Sequence, residues 1–157
     1  MNPGEAVGVI YIDADACPVK EEVYRVAARY AIPVILVANS RMRVPEGNAV
    51  KLVLVAEGQL DSADDWIAAR AGALDIVVTA DIPLASRCVA AGARVVDPRG
   101  RVFTEDSVGD ALATRNLMSQ LREVGGVTGG PSPHAKRDSS LFLQKLDELV
   151  QQIRRRK

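Results

Sequence analysis

Short apolar runs alternate with helix-like segments over the first hundred residues of the chain. The run at 7–12 carries no charged side chain, as is typical of a strand buried on both faces of a sheet. Further strands are expected at 33–37, 50–55, 75–79 and 94–96, and helices at 18–30, 61–72 and 84–91. This alternation predicts an α/β fold with a mostly parallel five-stranded sheet and helices on both faces.

The last third of the chain has a helical pattern. Ser107 and Asp110 indicate the start of a helix that runs to about residue 124. A stretch rich in glycine and proline follows and breaks regular structure, and Ser139 or Ser140 then caps a final helix with one apolar face. We therefore expect one domain over residues 1–157, with a core at 7–124, a loop at 125–138 and a C-terminal helix at 139–155.

Composition changes this picture only by exclusion. With 157 residues and 48% hydrophobic content the chain can bury a sizeable core, and its 20 basic and 20 acidic residues cancel. An aromatic content of 4% argues against a base-stacking platform, and two cysteines do not make a disulfide framework or a zinc site. No signal-peptide pattern or membrane-length apolar stretch occurs. We expect a cytoplasmic protein with no membrane partner.

The charges are unevenly distributed along the chain. Residues 1–66 carry ten acidic and six basic residues, whereas residues 67–157 carry ten acidic and fourteen basic ones. Fifteen of the 20 basic residues are Arg, the side chain best suited to bidentate contacts with phosphate. The second half of the chain is thus the more basic one.

Acidic residues follow several of the predicted strands directly. Strand one runs into Asp13 and Asp15, strand four into Thr79 and Asp81, and helix two begins close to Asp64. Because the carboxyl ends of parallel strands meet at one edge of a sheet, we expect these acids to converge there. Two unpaired carboxylates about 4 Å apart repel each other by roughly 4 kcal/mol at an effective dielectric constant of about 20. Such a cluster favours a hard divalent cation, Mg²⁺ or Mn²⁺.

A purely structural interpretation stays open for part of this set. Asp is common at strand ends and helix starts because it caps helices and forms turns. Capping accounts well for Asp61, and for one of Asp64 and Asp65. It accounts less well for Asp13, which ends a buried strand several residues before Pro18 opens the next helix.

Several motifs, spread over nearly the whole chain, resemble those of the bacterial YaiI/YqxD family. The matching stretches are Asp13-Ala-Asp15-Ala-Cys17-Pro18-Val19-Lys20, Val37-Ala38-Asn39, Arg43-Val44-Pro45, Val78-Thr79-Ala80-Asp81-Ile82-Pro83-Leu84-Ala85, Pro98-Arg99-Gly100, Thr114-Arg115, Gly129-Gly130-Pro131 and Arg137-Asp138. The resemblance implies a PIN-like fold, a three-layer α/β/α sandwich, here with additional C-terminal helices. Relatives of that fold include metal-dependent ribonucleases.

The order of the acids is similar to that of PIN nucleases, in which one acid ends the first strand, another lies on a following helix, and a Thr-x-Asp closes a later strand. Asp13, Asp64 and the pair Thr79 and Asp81 match this order. Two features depart from it. Asp15 and the Cys17-Pro18 pair are not part of the usual first motif of PIN nucleases. No acid of this chain clearly matches the fourth acid of those nucleases, and Asp97 would take its place.

We therefore expect a divalent-metal-dependent nuclease, acting on RNA rather than DNA. The expected ligands of one or two Mg²⁺ or Mn²⁺ ions are Asp13, Asp15, Asp64 and Asp81, which with Thr79 also form the expected catalytic set. Basic residues near the same edge are expected to hold the phosphates of a single-stranded RNA. They are Arg43, Arg99, Arg101, Lys136 and Arg137.

Two alternatives stay open. A phosphatase of the haloacid-dehalogenase type would use Asp13 as nucleophile, forming an aspartyl-phosphate, and Asp15 as acid. That class is disfavoured because no Lys occurs between residues 52 and 135 and because the acidic pair Asp64 and Asp65 precedes Thr79. The second alternative is a non-catalytic module that binds nucleic acid or a partner and keeps a metal for stability. The substrate and the oligomeric state are not determined by the sequence.

Overall fold

The computed structural model describes residues 7–47, 49–55, 62–123 and 133–155. Six strands and five helices occur in these residues, with a 3₁₀ turn at Ala14–Ala16. In chain order they are β1 (Ile10–Asp13), α1 (Lys20–Tyr30), β2 (Val34–Ala38), β3 (Val50–Leu54), α2 (Ser62–Arg70), β4 (Ile76–Val78), α3 (Ile82–Ala90), β5 (Arg94–Val96), β6 (Val102–Phe103), α4 (Glu105–Glu123) and α5 (Lys136–Arg154). The predicted alternation of strands and helices is confirmed.

One sheet contains all six strands in the order β3-β2-β1-β4-β5-β6. The first four pairings are parallel, and β6 runs antiparallel to β5 with Val96 opposite Val102. The prediction of five strands is wrong, because it omitted β6. A strand of two residues has no periodicity to read, and β6 forms because the chain reverses tightly after Asp97, whose carboxylate accepts the backbone N–H groups of Arg99 and Arg101.

Helices cover both faces of the sheet, which makes a three-layer sandwich. Successive residues of β1 point to opposite sides, so Ile10 and Ile12 pack in one core while Tyr11 packs in the other. The first core lies against α1 and α5, and the second against α2, α3 and α4. The central strands are buried on both sides, which explains why they are short apolar runs without alternation.

The last helix begins three residues earlier than predicted. Ser139 and Ser140 lie inside α5, because its N-terminus is capped by Asp138, whose carboxylate accepts the backbone N–H of Ala135 at 2.9 Å. Residues 136–138 of the predicted loop are therefore helical, while most of that loop, like Asp61, lies outside the described residues. Even the two longest helices, α4 and α5, fall short of what a membrane crossing needs, as does every other helix in the described ranges.

An acidic pocket at the carboxyl edge of the sheet

The carboxyl ends of β1 and β4, which are neighbours in the sheet, meet the turn after β5 around a cavity of about 230 Å³. Asp13 is the last residue of β1, and Thr79 directly follows β4. The residues lining the cavity are Asp13, Asp15, Cys17, Val78, Thr79, Ala80, Asp81 and Pro98. Four of the five residues expected to be catalytic thus share one pocket. We call it the acidic pocket.

A buried hydroxyl group connects two of its carboxylates. Thr79, only 2% exposed, donates through Oγ1 to Asp13 Oδ2 at 2.9 Å and accepts the backbone N–H of Asp81 at 3.0 Å. Asp81 in turn caps α3, because its Oδ1 accepts the backbone N–H of Leu84 at 2.9 Å. Asp13 is therefore held at the end of β1 by the Thr79 hydroxyl, and Asp81 is held at the start of α3 by the backbone of Leu84.

The surroundings of Asp13 make its ionised form energetically unfavourable. Burial raises the pKa of the Asp13 carboxyl, the hydrogen bond from Thr79 lowers it, and the nearby Asp81 and Asp15 carboxylates raise it further. The net direction is upward, so the protein binds a proton at this position more tightly than an unfolded chain does. A cation placed in the acidic pocket would favour the ionised form and remove this cost.

Asp15 lies on the rim, in the 3₁₀ turn between β1 and α1. Its carboxylate is exposed and accepts the backbone N–H of Asn39, with distances of 2.9 Å to Oδ2 and 3.2 Å to Oδ1. Asn39 follows β2, so this contact joins the ends of two neighbouring strands. Sequence reasoning missed the contribution of Asn39 because it acts through its main chain, which leaves no signal in the side-chain pattern.

The structure does not bring Asp64 into the acidic pocket. Asp64 lies in the first turn of α2, where its charge acts on Arg87 and Cys88 of α3. Its neighbour Asp65 forms an exposed ion pair with Arg87 at 2.8 Å. Neither acid is among the residues that line the cavity. Asp97 holds the turn before β6 by accepting two backbone N–H groups at 2.9 Å each.

None of the five basic residues expected to bind substrate lines the acidic pocket. Arg99 follows the pocket residue Pro98, and its guanidinium lies 3.9 Å from the Asp138 carboxylate at the start of α5. Arg101 stacks on the ring of Phe103, 5.2 Å from its centroid. The other three are exposed: Arg43 in the connection after β2, and Lys136 and Arg137 in the first turn of α5.

The residues of the acidic pocket are better suited to an open metal site than to a closed one. Within the described ranges, no group of three or more His, Cys, Asp or Glu side chains is arranged to hold a metal ion. Mg²⁺, however, is commonly held by one or two carboxylates, keeps several waters and completes its shell with substrate phosphates. The described hydrogen bonds occupy only Oδ2 of Asp13 and Oδ1 of Asp81. This donor set fits an open Mg²⁺ or Mn²⁺ site with two protein ligands, and it does not fit a closed cage.

Comparison with known proteins gives a consistent result over almost the full length of the chain. The model of a family described as uncharacterized, the YaiI/YqxD family, matches residues 11–152. A UPF0178 protein of Bradyrhizobium diazoefficiens is 55% identical over 148 residues, which cover 94% of this chain and 88% of that protein. A UPF0178 protein of Rhodopseudomonas palustris is 54% identical over 153 residues, covering 98% and 96%. The resemblance noted in the motifs is confirmed, and the chain belongs to the YaiI/YqxD family.

Proposed function

We propose that the acidic pocket is the active site of a divalent-metal-dependent phosphodiesterase that cleaves single-stranded RNA. The observation that carries this proposal is the joining of Asp13 and Asp81 through the Thr79 hydroxyl in a cavity that Asp15 also lines. Three acidic side chains are gathered there, and no basic residue is among the described residues of the lining. Ligands bind in the crevice at the carboxyl ends of the strands in open α/β sheets, which is where this pocket lies.

Asp13 and Asp81 are the residues that would hold Mg²⁺ or Mn²⁺. The bound ion would supply Lewis-acid chemistry, polarising a phosphoryl oxygen and offsetting the charge that develops on it. Thr79 donates to one oxygen of Asp13 and thereby fixes the direction of that carboxylate. Asp81 is fixed by its helix-capping contact to Leu84. Both carboxylates are therefore oriented before any ligand arrives, which is the preorganisation that catalysis by charge stabilisation requires.

The choice of single-stranded RNA as the substrate rests on the basic residues near the pocket. Arg99 and Arg101 lie in the same turn as Pro98, and Asp138 at the start of α5 lies within 3.9 Å of Arg99. Lys136 and Arg137 are exposed on that same helix start. Such residues contact phosphates without reading bases, so we expect little sequence preference and a strong dependence on salt. RNA is placed before DNA because the resemblance to a PIN-like fold points to ribonucleases.

The test is a cleavage assay with end-labelled single-stranded RNA, single-stranded DNA and duplex RNA, each in Mn²⁺, Mg²⁺ or EDTA. Wild-type protein is expected to cut single-stranded RNA only with a metal ion, and Asp13→Asn and Asp81→Asn to reduce the rate by at least about 100-fold, the scale of losing one stabilising group at a reacting centre. Asp65→Asn is the matched control, because Asp65 is an exposed acid paired with Arg87 outside the pocket.

Three results would contradict the proposal. Cleavage that survives EDTA or the Asp13→Asn change would assign the activity elsewhere. Metal-dependent binding of RNA without cleavage would instead favour the non-catalytic module. Beryllofluoride captured at Asp13 would point to the phosphatase alternative, because that ion mimics an aspartyl-phosphate.

A further inference from the structure

The turn that carries Asp15 has little support of its own. It consists of three residues, Ala14–Ala16, closed by a backbone hydrogen bond from Cys17 to Ala14 whose N···O distance is 3.4 Å. That distance lies beyond the usual range for N–H···O bonds. Ala14 and Cys17 are buried, at 0% and 7% exposure, so their carbonyl groups need partners inside the protein. The position of Asp15 therefore depends on something beyond the turn.

Lys20 provides that support. It is the first residue of α1, and its ammonium donates to the carbonyl oxygen of Cys17 at 2.8 Å and to that of Ala14 at 3.3 Å. These two carbonyls belong to the two ends of the turn. Hydrogen bonds from a charged donor are stronger than those between neutral groups, and an ammonium has three donors to distribute. The bond to Cys17 is short, whereas the bond to Ala14 is nearly as long as the backbone bond of the turn, so Lys20 supports the Cys17 end most strongly.

The effect of Lys20 extends to a second strand. The turn presents Asp15, and the Asp15 carboxylate accepts the backbone N–H of Asn39 after β2. A displacement of the turn would break that contact and move an acidic side chain out of the rim of the cavity. Lys20 is not among the residues that line the cavity, so its influence passes through the main chain.

We infer that Lys20 is a positioning residue, which closes the Ala14–Cys17 turn through both of its end carbonyls and thereby holds Asp15 at the rim of the acidic pocket. The consequence for metal affinity rests on the proposed function, whereas the consequence for Asp15 and Asn39 does not. Asp15 is not one of the two proposed ligands, but its charge acts on Asp13, so its displacement would weaken the attraction of the pocket for a cation.

The experiment compares Lys20→Met, which keeps the aliphatic stem but loses the donors, with Lys20→Arg, which keeps donors. Lys51→Met is the matched control, because Lys51 is exposed on β3. Amide hydrogen exchange of Asn39 is measured by NMR on each metal-free protein, and Mn²⁺ affinity by water-proton relaxation. Lys20→Met is expected to speed exchange at Asn39 by about tenfold, while the amide of Val34 at the start of β2 stays unchanged.

The metal readout follows the same pattern. Mn²⁺ affinity is expected to fall by about fivefold in Lys20→Met, because the Asp15 charge moves away from the pocket, to stay within about twofold of wild type in Lys20→Arg, and to be unchanged in Lys51→Met. Recovery in the Arg variant distinguishes the loss of the donors from a general loss of packing. If Lys20→Met does not fold, Lys20→Gln takes its place, since its side chain is shorter and its neutral amide donates weaker hydrogen bonds than the ammonium.

The outcomes separate the two claims. Unchanged exchange at Asn39 in a folded Lys20→Met or Lys20→Gln protein overturns the positioning role, whatever the metal does. Faster exchange at Asn39 in a protein whose wild type binds no Mn²⁺ supports the positioning role and overturns the proposed function. Faster exchange throughout β2 also overturns the inference, because it would show that Lys20 stabilises the whole fold rather than the turn.

Discussion

Two partly buried carboxylates lie at opposite edges of the same sheet and have opposite surroundings. Asp75, at the amino edge, accepts the backbone N–H of Val9 at 3.0 Å with one oxygen and that of Gly72 at 2.9 Å with the other. Asp13, at the carboxyl edge, receives one hydroxyl and lies close to two other acids. The first arrangement satisfies both oxygens of a carboxylate with fixed donors, whereas in the second the described hydrogen bonds reach only one oxygen.

The two edges also differ in their cavities. The larger cavity, about 470 Å³, lies toward the amino edge between the end of α1 and the starts of β2 and β3. Its lining is largely alanine, proline and other apolar residues, with Glu46 as its one acidic side chain among the described lining residues. The acidic pocket is half that volume yet gathers three carboxylates. The acidic side chains that line the smaller cavity, rather than its volume, therefore identify it as the candidate site.

Removing the satisfied carboxylate should have the largest effect on stability. Asp75→Ala leaves two partly buried N–H groups, those of Val9 and Gly72, without their acceptor. We expect the free energy of unfolding to fall by about 4 kcal/mol, from roughly 2 kcal/mol for each unpaired group. Chemical denaturation measures this loss. An equal loss in Asp13→Ala would contradict the distinction between the two carboxylates.

Adding a divalent cation should act on the carboxyl edge alone. At a free Mn²⁺ concentration about 100 times the dissociation constant, binding to the native state adds about 2.7 kcal/mol of stability. For a chain of this length that raises Tm by roughly 5–10 °C. Thermal scans with Mn²⁺ and with EDTA measure the shift, which should vanish in Asp13→Asn and persist in Asp65→Asn. A shift of equal size in Asp13→Asn would place the ion elsewhere.

The turn before β6 should be the next most sensitive position. Gly100 has φ +91°, and a Cβ added there would lie 2.8 Å from Leu141 Cγ and 3.0 Å from the Leu141 carbonyl carbon on α5. Gly100→Ala therefore forces an unfavourable backbone angle and a displacement of α5, at a cost of about 2 kcal/mol. Equilibrium unfolding measures it. Gly47→Ala is a matched control, because Gly47 has φ +111° but open space around it, and a similar loss in both would exclude the contact with α5 as the cause.

The smallest expected effect is the response to pH. Because burial raises the pKa of Asp13, the stability that its protonated form contributes at low pH is lost as the pH rises through the folded-state pKa, above the ordinary range of an Asp. Asp13→Asn removes this loss and is expected to raise the stability of the metal-free protein near pH 7 by about 1 kcal/mol. Unfolding curves between pH 4 and pH 8 measure the difference, and a wild type that gains stability relative to Asp13→Asn over this range would reverse the assignment.

Much of the fold was predictable because the central strands are buried on both faces. Such strands need an unbroken apolar run, and those runs are visible at β1, β2 and β4 without any structural information. The bounds of the elements depend on local hydrogen bonds that patterns do not reveal. The start of α4, for example, is set by reciprocal contacts between Thr104 and Ser107, so its capping residue lies three positions before the predicted Ser107.

The candidate site was predictable in part for the same reason. Asp13 ends β1, Asp15 follows it closely, and Thr79 and Asp81 follow the neighbouring parallel strand β4, so topology alone brings them together. Asp64 lies on a helix, and the direction of a helical side chain depends on how the helix is rotated against its neighbours. Here α2 places Asp64 toward Arg87 and Cys88, which no spacing in the sequence specifies.

The chain by itself determined where the central strands lie, which acids stand at their ends and which family it belongs to, since those properties follow from local composition and from motifs of consecutive residues. Only the tertiary structure decided how each charge is satisfied. Asp75 and Asp13 both stand beside strand ends, and the difference between them comes from partners 66 residues away in the sequence: the backbone of Val9 for one and the hydroxyl of Thr79 for the other. The energy of a partly buried charge depends on the donors within a few ångströms, and folding alone sets which donors those are.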